Sequence, residues 1–187
     1  MRLIKPLLAF ALLSLPFMAH AGDFEGQFKF TSKAPKEDIF GTAPGKAALT
    51  GDAKDLTTLK GTISVPVAGM QTGNAMRDDH LRSATWLDAA QFAEITFTVK
   101  SVAVAKSEDK GKFIEAELKV TGDFTLHGVT KEITAPATIK IKPDGKAKIT
   151  TDFTIALADY KVEGKAGVVG DKVGTSIACG ATLTGSL

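Results

Sequence analysis

Hydrophobic and polar residues alternate without a break from Ile114 to Leu126. One set of every-second positions is apolar or small and includes Leu118 and Phe124, whereas the other set is charged or carries a hydroxyl group. Because successive side chains of a β-strand point to opposite faces, this pattern predicts one strand with an apolar face and a polar face. Such a strand spans roughly 40 Å, about twice the usual length, which favours the tall wall of a β-barrel.

The same alternation recurs along the chain and predicts about eight strands. Their apolar faces must be buried together, either in a closed antiparallel barrel or between two stacked sheets, and the long 114–126 segment favours closure. A weaker strand is predicted over Lys46–Gly51 and a final one over about 172–187. The predicted turns are Gly41–Gly45, Lys110-Gly111, His127-Gly128, Pro143-Asp144-Gly145 and Gly170-Asp171.

Small residues on the apolar faces predict unfilled space inside the barrel. They are Ala116, Gly122, Ala135, Ala137, Ala147 and Ala181. The apolar positions predicted to line this space are Phe28, Phe30, Val65, Phe97, Leu118, Phe124, Ile139, Ile149, Phe153 and Ile177. For each of them the alternative is a place in a solid core. An outer-membrane barrel is disfavoured, because one Trp and one Tyr cannot form aromatic girdles.

One segment breaks the two-residue rhythm. Residues 75–89 combine Met76, Leu81, Trp86 and Leu87 with a run of charged side chains. This pattern predicts one or two short helical turns that cap the barrel or cross outside it.

The N-terminus has the pattern of a secretory signal peptide. Arg2 and Lys5 precede an apolar run over 7–15, and a small-x-small site at residues 19–21 predicts cleavage before Gly22. A membrane anchor is the alternative, but the run is shorter than the ~20 residues that cross a bilayer. Residues 1–21 are thus predicted to be a signal peptide, and residues 22–187 one exported domain.

The net charge and the few reactive side chains argue against several classes of function. Arg2 and Lys5 account for the formal net charge of +2, so the exported domain is close to neutral and lacks the basic excess of a nucleic-acid-binding protein. The one cysteine, Cys179, cannot form an internal disulfide and is predicted to be a buried, inert thiol. His80 and His127 have no metal-ligand spacing, and no nucleophile motif is present. These features predict neither an enzyme nor a metal or cofactor site.

Two stretches carry a resemblance to a known family. Residues 72–83, read as TGNAMRDDHLRS, resemble the T-G-x-x-x-R-D-x-H-L stretch of the YceI-like family, and residues 120–131 resemble its G-x-L-T-I-H-G-V-T-K stretch. Weaker similarity at residues 30–35 and 169–173 extends the resemblance over most of the exported domain. Residues 150–154 depart from the family because they lack its usual Arg and Gly, and Ala93 stands where a Pro is common.

The resemblance implies an extended, eight-stranded, lipocalin-like barrel in the bacterial periplasm. It implies a carrier that holds a polyisoprenoid lipid or an isoprenoid quinone in its apolar interior, and some members are associated with membrane b-type cytochromes. Arg77, Asp78 and His80 would then lie near the mouth, where they either meet a ligand head group or hold the helical turn on the barrel. The alternative function is a non-catalytic envelope stress or interaction module with a solid interior. A homodimer stays open as the oligomeric state.

Overall fold

A computed structural model describes residues 20–187, which form a closed barrel of eight antiparallel strands in sequence order. The strands are β1 (His20–Lys33), β2 (Asp38–Asp52), β3 (Asp55–Pro66), β4 (Glu94–Asp109), β5 (Ile114–Leu126), β6 (Val129–Ile141), β7 (Lys146–Ala156) and β8 (Ser176–Ser186). Pairing of β1 with β8, from Glu25↔Thr184 to Ser32↔Ile177, closes the barrel. The predicted fold class is therefore confirmed, whereas most of the predicted signal peptide lies outside the described residues.

The predicted long strand is β5, and its alternation fixes which face is inside. Ala116, Leu118 and Phe124 are buried, whereas Glu117 and Lys119 are exposed. The apolar faces of the strands thus point inward, as expected for a barrel in water.

The predicted turn at Gly41–Gly45 is wrong, because both glycines lie within the 15-residue strand β2. A Cβ atom at Gly41 would collide with the ring of Phe30 on β1, and one at Gly45 would collide with the ring of Phe28. These glycines therefore make room for aromatic side chains on the inner face rather than reversing the chain. The strand predicted over 46–51 is the second half of β2.

Three helices accompany the barrel in the described residues. They are α1 (Ala75–Arg82) and two 3₁₀ helices at Val67–Gly69 and Leu157–Tyr160. The helical turn predicted within residues 75–89 is confirmed by α1, whose first turn is capped by the Asn74 side chain, which accepts a hydrogen bond from the Arg77 N–H at 3.1 Å. Within residues 20–187, no helix is long and apolar enough to span a bilayer.

Two hydrophobic clusters divide the interior along the barrel axis. The closed end holds tightly buried residues that include Phe24, Ile139 and Ile141. The other end is built around Phe124, Leu157 and Tyr160 and is covered by α1 and by the segment that connects the second 3₁₀ helix to β8. We call this second end the mouth.

Candidate functional site

An apolar cavity occupies the middle of the barrel. Its volume is about 170 Å³, and its surface exposes no polar atom. A single water needs only about 10–15 Å³ of such space together with polar partners, so this cavity is far larger than a packing defect and offers water nothing to bind. We call it the inner cavity.

A second cavity of about 240 Å³ lies in the mouth, next to the inner cavity. The two cavities share the lining residues Phe30, Met70, Ile95, Phe124 and Cys179. The same side chains border both cavities, so the two adjoin inside the barrel, and we refer to the pair as the channel. We call the second one the outer cavity.

The structure places nine of the ten predicted wall residues on this channel. Phe28, Phe30, Val65, Phe97, Leu118, Phe124, Ile149 and Phe153 line the inner cavity, and Ile177 lines the outer one. Ile139 lines neither, because it is fully buried in the closed-end cluster. Its inward direction was predictable from the alternation, but its depth along the barrel axis was not.

The small residues do not all leave space. Ala135, Ala137 and Ala181 border the inner cavity, as predicted. Ala116 and Ala147 instead belong to the closed-end cluster, and a Cβ at Gly122 would come within 2.7 Å of the Phe97 ring. A small inner residue therefore opens space only where no large neighbour covers it.

Aromatic rings pack against each other where the two cavities adjoin. Phe124 meets Phe153 edge to face at a ring separation of 5.7 Å, and it meets Tyr160 in the same way at 5.4 Å. Tyr160 is 2 % exposed, and burial raises the pKa of its phenol above the usual value, so it stays neutral. Such pairs restrict the rotation of each ring and give the channel a stiff wall. The role of Tyr160 escaped the sequence analysis.

The three predicted mouth residues separate into two roles. Arg77 and His80 border the outer cavity, and Arg77 also pairs with Glu37 of the β1–β2 loop at 2.6 Å. Asp78 turns away and accepts two hydrogen bonds from Thr72, one from its N–H at 2.7 Å and one from its hydroxyl at 2.6 Å. Asp78 therefore ties α1 to the chain before it, while Arg77 and His80 face the channel opening.

Replacing Asp78 tests this structural role. The hydroxyl of Thr72 is the main cause that holds the pKa of Asp78 below its usual value. A lowered folded pKa stabilises the protein above about pH 4, and that contribution is lost as the pH falls through the folded value. We expect Asp78→Asn to lower the free energy of unfolding by about 1–2 kcal/mol at pH 7, and by less in acid once the pH falls below the folded pKa of Asp78, in urea titrations.

Asp79→Asn is the matched control on the same helix. The side chain of Asp79 is 81 % exposed and lies 3.5 Å from Arg82, so its loss should change the stability by less than about 0.5 kcal/mol. Equal effects of the two substitutions would contradict the role given to Asp78.

A segment that the sequence analysis missed covers the outer cavity. Val162, Val168 and Val173 border the cavity from residues 161–175. The segment is held by the Gly174 N–H, which donates to the buried Ser32 hydroxyl at 2.8 Å, and by an ion pair between Lys36 and Asp171 at 2.8 Å. Ser32 and Gly174 are 142 positions apart, so no local pattern could reveal this contact.

His127 closes the β5–β6 hairpin beside the mouth. The φ angles of His127 and Gly128 are 51° and 72°, as in a type I′ turn, which confirms the predicted turn. The ring of His127 meets Phe92 edge to face at 5.0 Å, and its Nδ1 lies 3.3 Å from the Tyr160 carbonyl oxygen. His127 thus links the hairpin to the second 3₁₀ helix and does not border either cavity.

Cys179 lies where the two cavities meet and is half-buried, not fully buried as predicted. Burial raises the pKa of its thiol to about 12, which agrees with the predicted inert cysteine. The thiolate is the reactive form, so we expect iodoacetamide at pH 8 to label folded protein roughly a thousandfold more slowly than urea-unfolded protein. Intact mass spectrometry measures both rates. Rapid labelling without unfolding would contradict the closed wall at this position.

The described residues were also compared with the requirements of a metal site. Across residues 20–187, no group of three or more His, Cys, Asp or Glu side chains is placed to hold a metal ion. The inner cavity offers shape and apolar surface, which bind hydrocarbon, and Arg77 and His80 add polar groups only at the outer cavity.

The fold and the channel define a small lipocalin-like barrel with an apolar interior. The chain belongs to the YceI-like family, whose model, described as a YceI-like domain, matches residues 14–181. It is 31 % identical to protein YceI of Salmonella newport (strain SL254) over 175 residues, which cover 84 % of this chain and 87 % of that protein. The resemblance predicted from the two motifs is thereby confirmed.

Other relatives match over a smaller share of their length. A UPF0312 protein of Shewanella sp. (strain ANA-3) is 37 % identical over 117 residues, which cover 60 % of this chain and 57 % of the relative. Protein YceI of Escherichia coli O157:H7 is 30 % identical, and the match covers 81 % of this chain and 66 % of the relative.

Solved structures share the barrel. BcnA of Burkholderia cenocepacia superposes with a TM-score of 0.72 at 18 % identity, covering 85 % of this chain and 95 % of BcnA. A polyisoprenoid binding domain from Saccharophagus degradans, implicated in plant cell wall breakdown, superposes with a TM-score of 0.70 at 14 % identity, covering 89 % and 98 %. At these identities the similarity establishes the fold.

Proposed function

We propose that this protein is a carrier that holds an isoprenoid lipid or an isoprenoid quinone inside its barrel. The observation that carries the proposal is this channel, which consists of two adjoining apolar cavities between the closed-end cluster and the mouth. Membership of the YceI-like family and the likeness to a polyisoprenoid binding domain support this ligand class.

The lining of the channel suits a branched hydrocarbon chain. Each buried methylene group contributes about 0.8 kcal/mol, so several isoprene units gain considerable binding free energy without any polar contact. The side chains Phe28, Phe97 and Phe153 offer flat apolar surfaces, and Ala135 and Ala137 leave depth between them. Binding then depends on shape and on the exclusion of water.

The polar end of the ligand belongs at the mouth. Arg77 and His80 border the outer cavity and supply hydrogen-bond donors to a quinone carbonyl, an alcohol or a phosphate. Ionic pairing with Glu37 holds the Arg77 guanidinium in place, which lowers the entropy lost when it contacts a head group.

The interior volume distinguishes this proposal from the alternative of an interaction module. A module with a solid core would have no channel, whereas the inner cavity alone has a volume of about 170 Å³. The inner cavity also favours binding over catalysis, because a reaction on the ligand needs an acid, a base or a nucleophile beside it, and the surface of this cavity exposes no polar atom.

Residues 1–21 and the family support export to the periplasm. There the carrier would meet isoprenoids of the bacterial membranes, and the association with membrane b-type cytochromes stays a prediction. Sequencing the N-terminus of the protein from its own host should give Gly22 as the first residue.

Native mass spectrometry tests the proposed ligand. Protein purified from its host without detergent should carry a bound mass that dissociates on activation, and organic extraction should yield an isoprenoid. A clean unliganded mass, together with no uptake of added ubiquinone or polyprenol, would contradict the proposal.

A further inference from the structure

One seam of the barrel wall is incomplete beside the inner cavity. β6 pairs with β7 only over residues 137–141, opposite residues 147–151. By contrast, β6 pairs with β5 along its whole length, and β7 pairs with β8 along its whole length. Within the part of the chain that the structure describes, residues 129–136 of β6 and 152–156 of β7 therefore have no ladder pair with each other. We call the gap between these two segments the lateral split.

A proline stands where the ladder of β6 with β7 ends. The Lys142 N–H donates to the Lys146 carbonyl at 2.8 Å. Because bonded pairs recur at every second position of an antiparallel ladder, the even-numbered residues of β6 are those that face β7. The next such position beyond Thr138 is Pro136, which has no N–H to donate. The carbonyl oxygen of Pro136 accepts a hydrogen bond from the Thr151 hydroxyl at 2.6 Å. The split thus begins where the sequence removes a backbone donor.

The incomplete seams on either side of β3 are closed by other groups. Next to β2, the N–H and carbonyl of Thr42 bond the carbonyl and N–H of Gln71, each at 2.8 Å. Next to β4, Leu56 and Leu59 are buried in the closed-end cluster. Both seams therefore keep a continuous wall where ladder pairs are missing.

Side chains close the lateral split. Ile133 on β6 and Phe153 on β7 are half-buried, border the inner cavity and pack in the cluster at the mouth end. Lys131 on β6 pairs at 2.6 Å with Asp159 in the 3₁₀ helix that follows β7, and these side chains are 43 % and 54 % exposed. An ion pair so exposed contributes little to stability. A seam held by side chains opens more readily than one held by a backbone ladder.

We propose that the lateral split is the port through which the hydrocarbon chain of the ligand enters the barrel. The two unpaired segments part, the chain passes between Ile133 and Phe153 into the inner cavity, and the wall closes behind it. The covering segment then stays in place, held by the hydrogen bond from Gly174 to Ser32. This inference rests on the proposed function, because the port serves the ligand proposed there.

Amide hydrogen exchange tests the split without any ligand. Glu132 and Thr134 face β7 within the split, whereas Thr138 and Lys140 face it where the ladder is intact. We expect the amides of the first two residues to exchange about a hundredfold faster or more than those of the last two, as measured by NMR. Equal protection at all four positions would overturn the proposal.

Cross-linking tests passage through the port. Thr134 and Thr154 are exposed and would lie opposite each other if the ladder continued, so Thr134→Cys with Thr154→Cys lets a short bis-maleimide join the two sides of the split. We expect this link to slow the transfer of ubiquinone from loaded protein to acceptor vesicles by about tenfold or more, with little change in affinity. Stopped-flow fluorescence of Trp86, which borders the outer cavity, measures the rate.

The matched control joins the neighbouring, intact seam. Thr121 and Thr134 lie opposite each other on β5 and β6, and their hydroxyl oxygens are 2.8 Å apart. Thr121→Cys with Thr134→Cys, linked by the same reagent, should leave the transfer rate within about twofold of that of the unlinked variant. A link across the split that slowed transfer no more than this control would overturn the proposal.

A third link distinguishes the port from the mouth. Lys36→Cys with Asp171→Cys ties the covering segment to the β1–β2 loop at the position of their 2.8 Å ion pair. We expect this link to slow transfer by less than about threefold. Slowing at least as great as that caused by the link across the split would overturn the proposal and assign entry to the mouth. In each of these cases the wild type still takes up ubiquinone, whereas a wild type that takes up none would refute the proposed function itself.

Discussion

Ala181→Phe should abolish ligand uptake while the barrel stays folded. Ala181 on β8 borders the inner cavity, and its cross-strand neighbour on β1 is Phe28. The added ring would therefore occupy the space that the ligand needs. Excluding several methylene groups at about 0.8 kcal/mol each should lower the affinity for a prenyl quinone by about a hundredfold or more. Fluorescence or native mass titration measures the affinity, and circular dichroism checks the fold.

Ala178→Phe is the matched control on the same strand. Ala178 is exposed on the outer face of β8, where it is paired with Thr31 and Thr154, so a ring there should leave the affinity within about twofold of the wild type. If Ala181→Phe bound ligand as well as Ala178→Phe does, the ligand would not occupy the inner cavity.

Ile139→Ala should cause the largest loss of stability. Ile139 is fully buried in the closed-end cluster, with Ala116 and Ile149 as its cross-strand neighbours. Truncation removes buried methyl groups and leaves a void in a tightly packed region, which costs about 2–5 kcal/mol in the free energy of unfolding. Chemical unfolding monitored at Trp86 measures this loss.

Ile149→Ala separates packing from ligand contact. Ile149 is half-buried and borders the inner cavity, so its truncation enlarges an existing space and should cost less, about 1–2 kcal/mol, while weakening ligand binding. If Ile139→Ala instead spared stability and removed ligand binding, the ligand would extend into the closed end.

The barrel was predictable because each strand repeats one simple rule. In β5 the two-residue alternation specifies both the strand and its inner face, since only one set of side chains can be buried. The misread segment follows the same rule: Gly41, Ala43 and Gly45 alternate with polar or exposed residues. Glycine is common in turns, but small residues at every second position were the signal that aromatic rings pack against this face.

The site was only partly predictable, for two physical reasons. Alternation predicts the direction of a side chain but not its position along the barrel axis. For this reason the place of Ile139 in the closed-end cluster could not be predicted. Adjacent helical residues point about 100° apart, so Asp78 turns to Thr72 while Arg77 faces the channel. The covering segment depends on Ser32 and Gly174, which meet only after the whole barrel has closed.

A crystal structure of the protein loaded with a polyprenyl quinone tests the central claim most directly. The claim predicts continuous density for the prenyl chain along the barrel axis, beside Phe28, Phe124 and Phe153, with the ring of the quinone near Arg77 and His80. Density for the ligand on the outer face of the barrel, or an interior filled by the protein's own side chains, would contradict it.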